Sequence, residues 1–206
     1  MALSNRAVWQ NKWKGRQEPV NAFARSLVRR LGAGKGRMLL DVGCGNGVDS
    51  LFFAKQGYAV TATDFSESGI AALHASAETD GLFLRTHLHD TAKKFPFDHG
   101  TFDVIYAHLA LHYFDDATTQ KVFAEMRRLL KKGGLFFVKC KSTKDCQYGK
   151  GEQIGPDMFR DGHIRHFFTP AYLRSLLAQY TILSERSSSA RYHGKTSAFV
   201  QAIARA

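Results

Sequence analysis

The residues best placed to do chemistry sit in one stretch, LDVGCGNGVDS. Asp41 precedes glycines at positions 43, 45 and 47, and a second acid, Asp64, follows 23 residues after Asp41. A glycine turn between a strand and a helix often cradles a diphosphate, and the dinucleotide pattern G-x-G-x-x-G would need its third glycine at position 48. Position 48 is Val. Asp41 adds a physical constraint, because a carboxylate at the end of a strand repels a diphosphate and attracts a cation. The turn therefore predicts a ligand that is positively charged at that point, with Asp64 at the next strand end as an acceptor for sugar hydroxyls. Val48 and Asp41 together argue against a nicotinamide-dependent oxidoreductase. A module that binds such a ligand without catalysis stays open.

Elements that can hold these residues in place are legible on either side. Apolar runs predict strands at 38–42, 58–63, 82–86, 102–106 and 135–140, with helical patterns between them. The clearest helix is expected over 116–132, with an acid at its start, basic residues at its end and Gly133 beyond. Upstream, Pro19 suits a first helical position, and Val20, Phe23, Ala24, Leu27, Val28 and Leu31 follow at helical spacing. Alternating strands and helices imply an α/β fold, a single Rossmann-like doubly wound sheet that is mostly parallel, with ligands at the carboxyl ends of its strands. The runs at 180–187 and 197–204 flank RYHGKT and read as an antiparallel C-terminal strand pair. Between 141 and 168 the chain is polar and glycine-rich, then a helix is expected from Thr169-Pro170.

Composition bounds the partners. The chain has 206 residues, which favours one domain over 1–206, and a formal charge of +11. That charge is uneven: residues 1–37 hold nine Lys/Arg against one acid, 38–120 four against eleven, and 121–206 sixteen against six. Basic flanks around an acidic centre suit either a solvated surface or contact with an anion such as RNA. No apolar run approaches the roughly 20 residues that span a bilayer, and the N-terminus lacks the apolar core of a signal peptide, so a cytoplasmic protein without a membrane is expected. Cys44, Cys140 and Cys146 form no C-x-x-C pair, which suits a reducing compartment. His108 and His112 are spaced for a helical metal pair but have no third ligand at matching spacing, so no metal is expected.

LDVGCGNG, Asp64, Asp90 in HLHDT, FDVIYAHLALHYF and LKKGGLFFV follow one another in the order found in class I S-adenosylmethionine-dependent methyltransferases, which this chain resembles over residues 38–140. The resemblance implies the cofactor S-adenosyl-L-methionine. It implies that Asp41, Gly43, Cys44 and Gly45 hold the cofactor, that Asp64 and the adjoining Phe65 meet its ribose side, and that Asp90 and Thr91 meet its adenine. Ala107, at the end of the fourth strand, would border the methyl group. A weaker similarity to the tellurite-resistance and thiopurine type implies an aromatic lid over residues 1–18, with Trp13 against the cofactor and Trp9 towards the substrate.

The loop after the fourth strand borders the transferable methyl in that family, so His112 is the expected proton acceptor and His108 a substrate-side neighbour. Tyr148, His163 and His166 occupy the segment 141–168 and are expected on the substrate side, and His193 is a similar candidate. A small-molecule acceptor fits the aromatic lid, and RNA fits the basic flanks. No [DN]-P-P-[FY] and no Pro-Cys pair follows the fourth strand, which sets aside two nucleic-acid base chemistries, and Ala107-His108 stands where a metal-dependent catechol enzyme would need an acid.

Overall fold

The structure, a computed structural model, describes residues 19–192 and 194–206. The expected lid over 1–18, with Trp9 and Trp13, and His193 lie outside the described residues. Helix α1 (Ala22–Leu31) is capped by Asn21, whose side chain accepts from the Ala24 amide at 2.9 Å. Pro19 was expected as the first helical residue, and the helix begins after it instead. Asn21 has a side-chain oxygen for an orphan amide of the first turn, and proline has none. Phe23, Ala24 and Leu27 are the buried face of α1, each large apolar side chain contributing about 1.5–3 kcal/mol.

The chain then alternates through β1 (Met38–Val42), α2 (Val48–Lys55), β2 (Ala59–Asp64), α3 (Glu67–Thr79), β3 (Arg85–Leu88), β4 (Phe102–His108), α4 (Asp116–Leu129) and β5 (Leu130–Lys141). After them come β6 (Glu152–Gly155), β7 (Met158–Asp161), β8 (His163–His166), α5 (Pro170–Leu176), β9 (Thr181–Tyr192) and β10 (Lys195–Arg205). The seven-stranded sheet runs β3-β2-β1-β4-β5-β10-β9, with the first five strands parallel and β10 antiparallel to both its neighbours. This is the mostly parallel, doubly wound sheet with an antiparallel C-terminal pair that the sequence predicts. Strand order reverses between β1 and β4, the place where such sheets open a crevice for ligands.

Two apolar layers flank the sheet. On one face α1, α2 and α3 bury Leu27, Phe53 and Leu73 against Tyr106 and Phe137. On the other, Val122, Phe123 and Met126 of α4 and Leu173 of α5 pack on Ile105 and Phe136. Among the described residues no helix is long and apolar enough to cross a membrane.

Element boundaries differ from expectation for local reasons. α4 ends at Leu129, not 132, and Leu130 has already turned to ψ 138. Lys131 is pulled onto Asp103 at 2.8 Å, and the Gly133 amide donates to the carbonyl of Ala206, so the stretch read as a helix end is the start of β5. β3 sits at 85–88, not 82–86, and both terminal strands are longer than expected. The polar segment after β5 contains a three-stranded antiparallel sheet, β6-β7-β8, for which the sequence predicted no strand.

One buried carboxylate ties the start of that segment to the sheet. Asp145 accepts from Lys141 Nζ at 2.9 Å, the Ala198 amide at 3.0 Å and the Gln147 amide at 2.9 Å, joining the end of β5 to β10. Replacing Asp145 with Ala strands a largely buried ammonium and two amides, so Asp145→Ala should lower stability by about 3–5 kcal/mol in urea unfolding, with Asp145→Asn costing less.

Candidate active site

The site is built where β1, β2 and β4 end. The amides of Gly43 and Cys44 donate to the Thr63 carbonyl at 2.8 and 3.0 Å, carrying the β1–β2 ladder into the turn. Gly43 has φ 70, and a Cβ there would lie 2.5 Å from the Ala110 Cβ. Only glycine lets the turn approach the loop after β4 this closely. That loop is itself strained, since Leu109 has φ 56.

Asp64, the last residue of β2, joins two elements through its carboxylate. One oxygen accepts from the Gly45 amide at 2.9 Å and the other from the Ser66 amide at 2.8 Å, which sets the glycine turn against the start of α3. Asp41 is 2% exposed and accepts from the Ser50 hydroxyl at 2.5 Å. Burial first, then the neighbouring charge of Asp49, pushes its pKa up to about 8; the Ser50 bond opposes this and Asp64 adds to it. No cation pairs with Asp41 among the described residues. Cys44 lies in the same field, and burial holds its thiol protonated, so it is no nucleophile.

Asp49, in the first turn of α2, ties the site to α1 and β4. It accepts from the Tyr106 hydroxyl at 2.9 Å, from the Asn21 amide at 3.3 Å and from Asn21 Nδ2. Asn21 Nδ2 also lies 3.0 Å from the Tyr106 hydroxyl and 3.3 Å from His108 Nδ1. Burial, with a smaller contribution from Lys139, drives the His108 pKa down to about 3, so the imidazole is neutral. These groups surround a cavity of about 400 Å³ lined by Asp41, Gly43, Cys44, Asn46, Asp49 and His108 among others. A cleft of similar size, about 420 Å³, lies between α4 and α5, but it holds none of the strand-end residues and no acid.

The predicted residues fall into three groups. Asp41, Gly43, Cys44 and His108 line the cavity, and Gly45 and Asp64 are bonded beside it. Phe65 and Thr91 are half-buried, while Asp90 is exposed beyond β3 and accepts from the Ala92 amide at 3.0 Å. Ala107 is buried in the opposite layer, against the α4 side of the sheet.

The third group gathers away from the cavity lining. His112 is 0% exposed, its ring 4.2 Å from that of Tyr113, and its carbonyl accepts from the His166 amide at 3.0 Å. His163 stacks on the other side of Tyr113 at 5.4 Å, and His166 packs on Tyr172 at 4.7 Å. Tyr148 donates to Asp157 at 2.7 Å.

Sequence reasoning missed Asn21, Asn46, Asp49, Ser50 and Tyr106. Asp49 alone left a signal, as a second acid in the same motif. No group of three metal-ligating side chains occurs among the described residues.

Comparison with known proteins agrees with this geometry. The family described as "Methyltransferase domain" matches residues 39–134. An uncharacterized methyltransferase of Synechocystis is 28% identical over 114 residues, 55% of this chain and 51% of that protein, so the chain spans about half the length of that curated relative. A Burkholderia thailandensis 1,6-didemethyltoxoflavin-N1-methyltransferase, solved with that compound and S-adenosylhomocysteine, superposes with TM-score 0.73 at 21% identity, covering 97% of this chain and 81% of the other. TehB from Haemophilus influenzae superposes with TM-score 0.72 at 19% identity, covering 90% and 62%.

The fold and strand-end turn define a doubly wound α/β protein whose glycine turn is acidic where diphosphate folds are not. Within that class, residues 39–134 are similar to the methyltransferase-domain family.

The Asp41 carboxyl gives a testable pH signature. Between its unfolded value, 3.8, and about 8, the folded protein keeps a proton that the unfolded chain has lost. Stability from this group is therefore complete below pH 4 and declines as pH rises towards 8, by up to about 1.4 kcal/mol per pH unit. Urea unfolding of the ligand-free protein at pH 5 and pH 8 should show this decline, and Asp41→Asn should flatten it.

Proposed function

We propose that the protein transfers the methyl group of S-adenosyl-L-methionine to an N, O or S atom of a small organic molecule. The observation that carries this reading is the buried carboxylate of Asp41 at the glycine turn, beside Asp49 and without a cationic partner among the described residues. Without a counter-charge such a group keeps its proton, and an arriving cation favours its charged form. The ammonium of the cofactor's methionine end is such a cation. Asp41, Asp49, Gly43 and Cys44 would receive that end, and Gly45 and Asp64 the ribose. Phe65, Asp90 and Thr91 would meet the adenine, with Trp13 as a cover. S-adenosylmethionine supplies a methyl already activated on a sulfonium, which leaves as a neutral thioether with the bonding electron pair.

What remains for the chain is to bind, align and exclude water, contributions that suffice when the donor is activated. Ala107 and His108 end the strand that borders the methyl. The neutral His108 ring is a poor proton acceptor with a pKa near 3 and serves as a hydrogen-bonding wall. His112, enclosed with Tyr113, would shape the loop that follows β4. Segment 141–168, with Tyr148, His163 and His166, would form the acceptor-side wall. The Burkholderia structure, solved with bound 1,6-didemethyltoxoflavin and S-adenosylhomocysteine, supports a small acceptor over RNA.

Calorimetry tests the cofactor directly: one S-adenosylhomocysteine should bind per chain, and NAD should give no heat. Asp64→Asn should weaken that binding by about 1.5–3 kcal/mol, the range for hydrogen bonds to a charged group. Tight NAD binding with silent S-adenosylhomocysteine would refute the reading. With labelled cofactor and cell extract, label should enter the small-solute fraction and not RNA.

A further inference from the structure

Lys139 is the charge in this site that no partner explains. It lies in β5 opposite His108 of β4 in the parallel ladder, and opposite Gln201 of β10 on its other side. Its side chain leans towards the carboxyl end of the sheet, where Nζ sits 4.3 Å from the ring centre of Phe199 and 6.0 Å from that of Phe23. The buried Phe23 ring in turn lies 6.1 Å from that of His108, so packed aromatic groups connect Lys139 to the cavity wall. Two other lysines of β5 are matched by acids, Lys131 by Asp103 at 2.8 Å and Lys141 by Asp145 at 2.9 Å. No carboxylate pairs with Lys139 among the described residues.

A half-buried ammonium on aromatic faces gains cation–π attraction, but this does not replace the water and counter-charge it has lost. Burial accordingly lowers its pKa. An anion arriving at Lys139 would restore what burial removed. The charges of the site are also separated in space: Asp41 and Asp49 lie at the β1 side of the cavity, and Lys139 lies one strand past His108, on the β5 side. A cationic donor and an anionic acceptor would be drawn to opposite ends.

We propose that Lys139 is a specificity-determining residue that pairs with an anionic oxygen, carboxylate or ionised phenol, of the methyl acceptor. This rests on the methyl-transfer reading above and narrows its acceptor to organic acids and phenols that carry an anionic oxygen. Such an acceptor also suits a cavity whose one lining histidine is held neutral, because an ionised oxygen reaches the site without needing a base.

The test uses benzoate and its neutral isostere benzamide, titrated by ligand-observed NMR against the full chain, with and without saturating S-adenosylhomocysteine. Benzoate should bind at least tenfold more tightly than benzamide, and Lys139→Met should erase the difference while leaving S-adenosylhomocysteine affinity and the thermal midpoint unchanged. Lys139→Arg should retain the preference. Equal binding of the two probes, binding of neither, or a benzoate preference that survives in Lys139→Met would each overturn the proposal. Absence of S-adenosylhomocysteine binding would instead count against the methyl-transfer reading, because the benzoate comparison is also made without it.

Discussion

The constraint on which the site depends is the burial of carboxyl groups at the end of β1, where Asp41 keeps its proton well above the usual carboxylate range. Asp41 is enclosed next to Asp49, with Asp64 adding to the same field. Taking a carboxylate out of water costs several kcal/mol unless hydrogen bonds or a counter-charge replace the lost hydration. Ser50 supplies one hydrogen bond to Asp41, and Tyr106 and Asn21 supply others to Asp49. These donors come from α2, β4 and the residue that caps α1, so satisfying the acids also fixes how those elements meet. The cavity is shaped by the groups that make its charge tolerable.

Backbone geometry serves the same end. The chain crosses from β1 into α2 through positive-φ glycines at 43, 45 and 47, and the Gly45 amide is spent on Asp64 instead of on a phosphate. In a diphosphate-binding fold the amides of this turn point at the ligand. Here one of them locks the acid that stands at the end of the next strand. The same architecture, a glycine turn at a topological switch point, is thus converted from an anion cradle into an acidic one by which group the amides face.

How much of this was legible in the sequence follows from the range of each interaction. The glycine turn, Asp41 and the sugar-side acid Asp64 are signalled locally, within one strand–turn–helix–strand unit, and they are found where the pattern expects. Asn21 could not be read this way, because its partners Asp49 and Tyr106 lie 28 and 85 residues away. Tyr106 looks like one more apolar strand residue until its hydroxyl is seen to be bonded. The β6-β7-β8 sheet was hidden for another reason: its strands are four residues each and carry polar residues on both faces, so they never establish a period of two. The end of α4 was misplaced because Lys131 and Lys132 have helical propensity that a tertiary ion pair and two glycines override.

The histidines separate by the same logic into those that meet the cavity and those that build its surroundings. His108 ends β4 on the face shared with Tyr106, and alternation along the strand turns Ala107 to the opposite layer. His112 leaves the strand, turns inward, and receives the His166 amide on its carbonyl, so it anchors the segment that follows β5 to the loop that follows β4. One imidazole is therefore available to a ligand and the other holds the wall. Across the sheet from the acids, Lys139 completes the pattern: its pKa is lowered by burial and His108 lies between it and the cavity. With Lys139 as the partner of an acceptor anion, the site would be acidic at β1, neutral at β4 and basic at β5, and would impose a direction on whatever enters it. A donor cation and an acceptor anion can each settle at the end that attracts it only by lying across β4, and that places them on either side of the strand end where methyl transfer would occur.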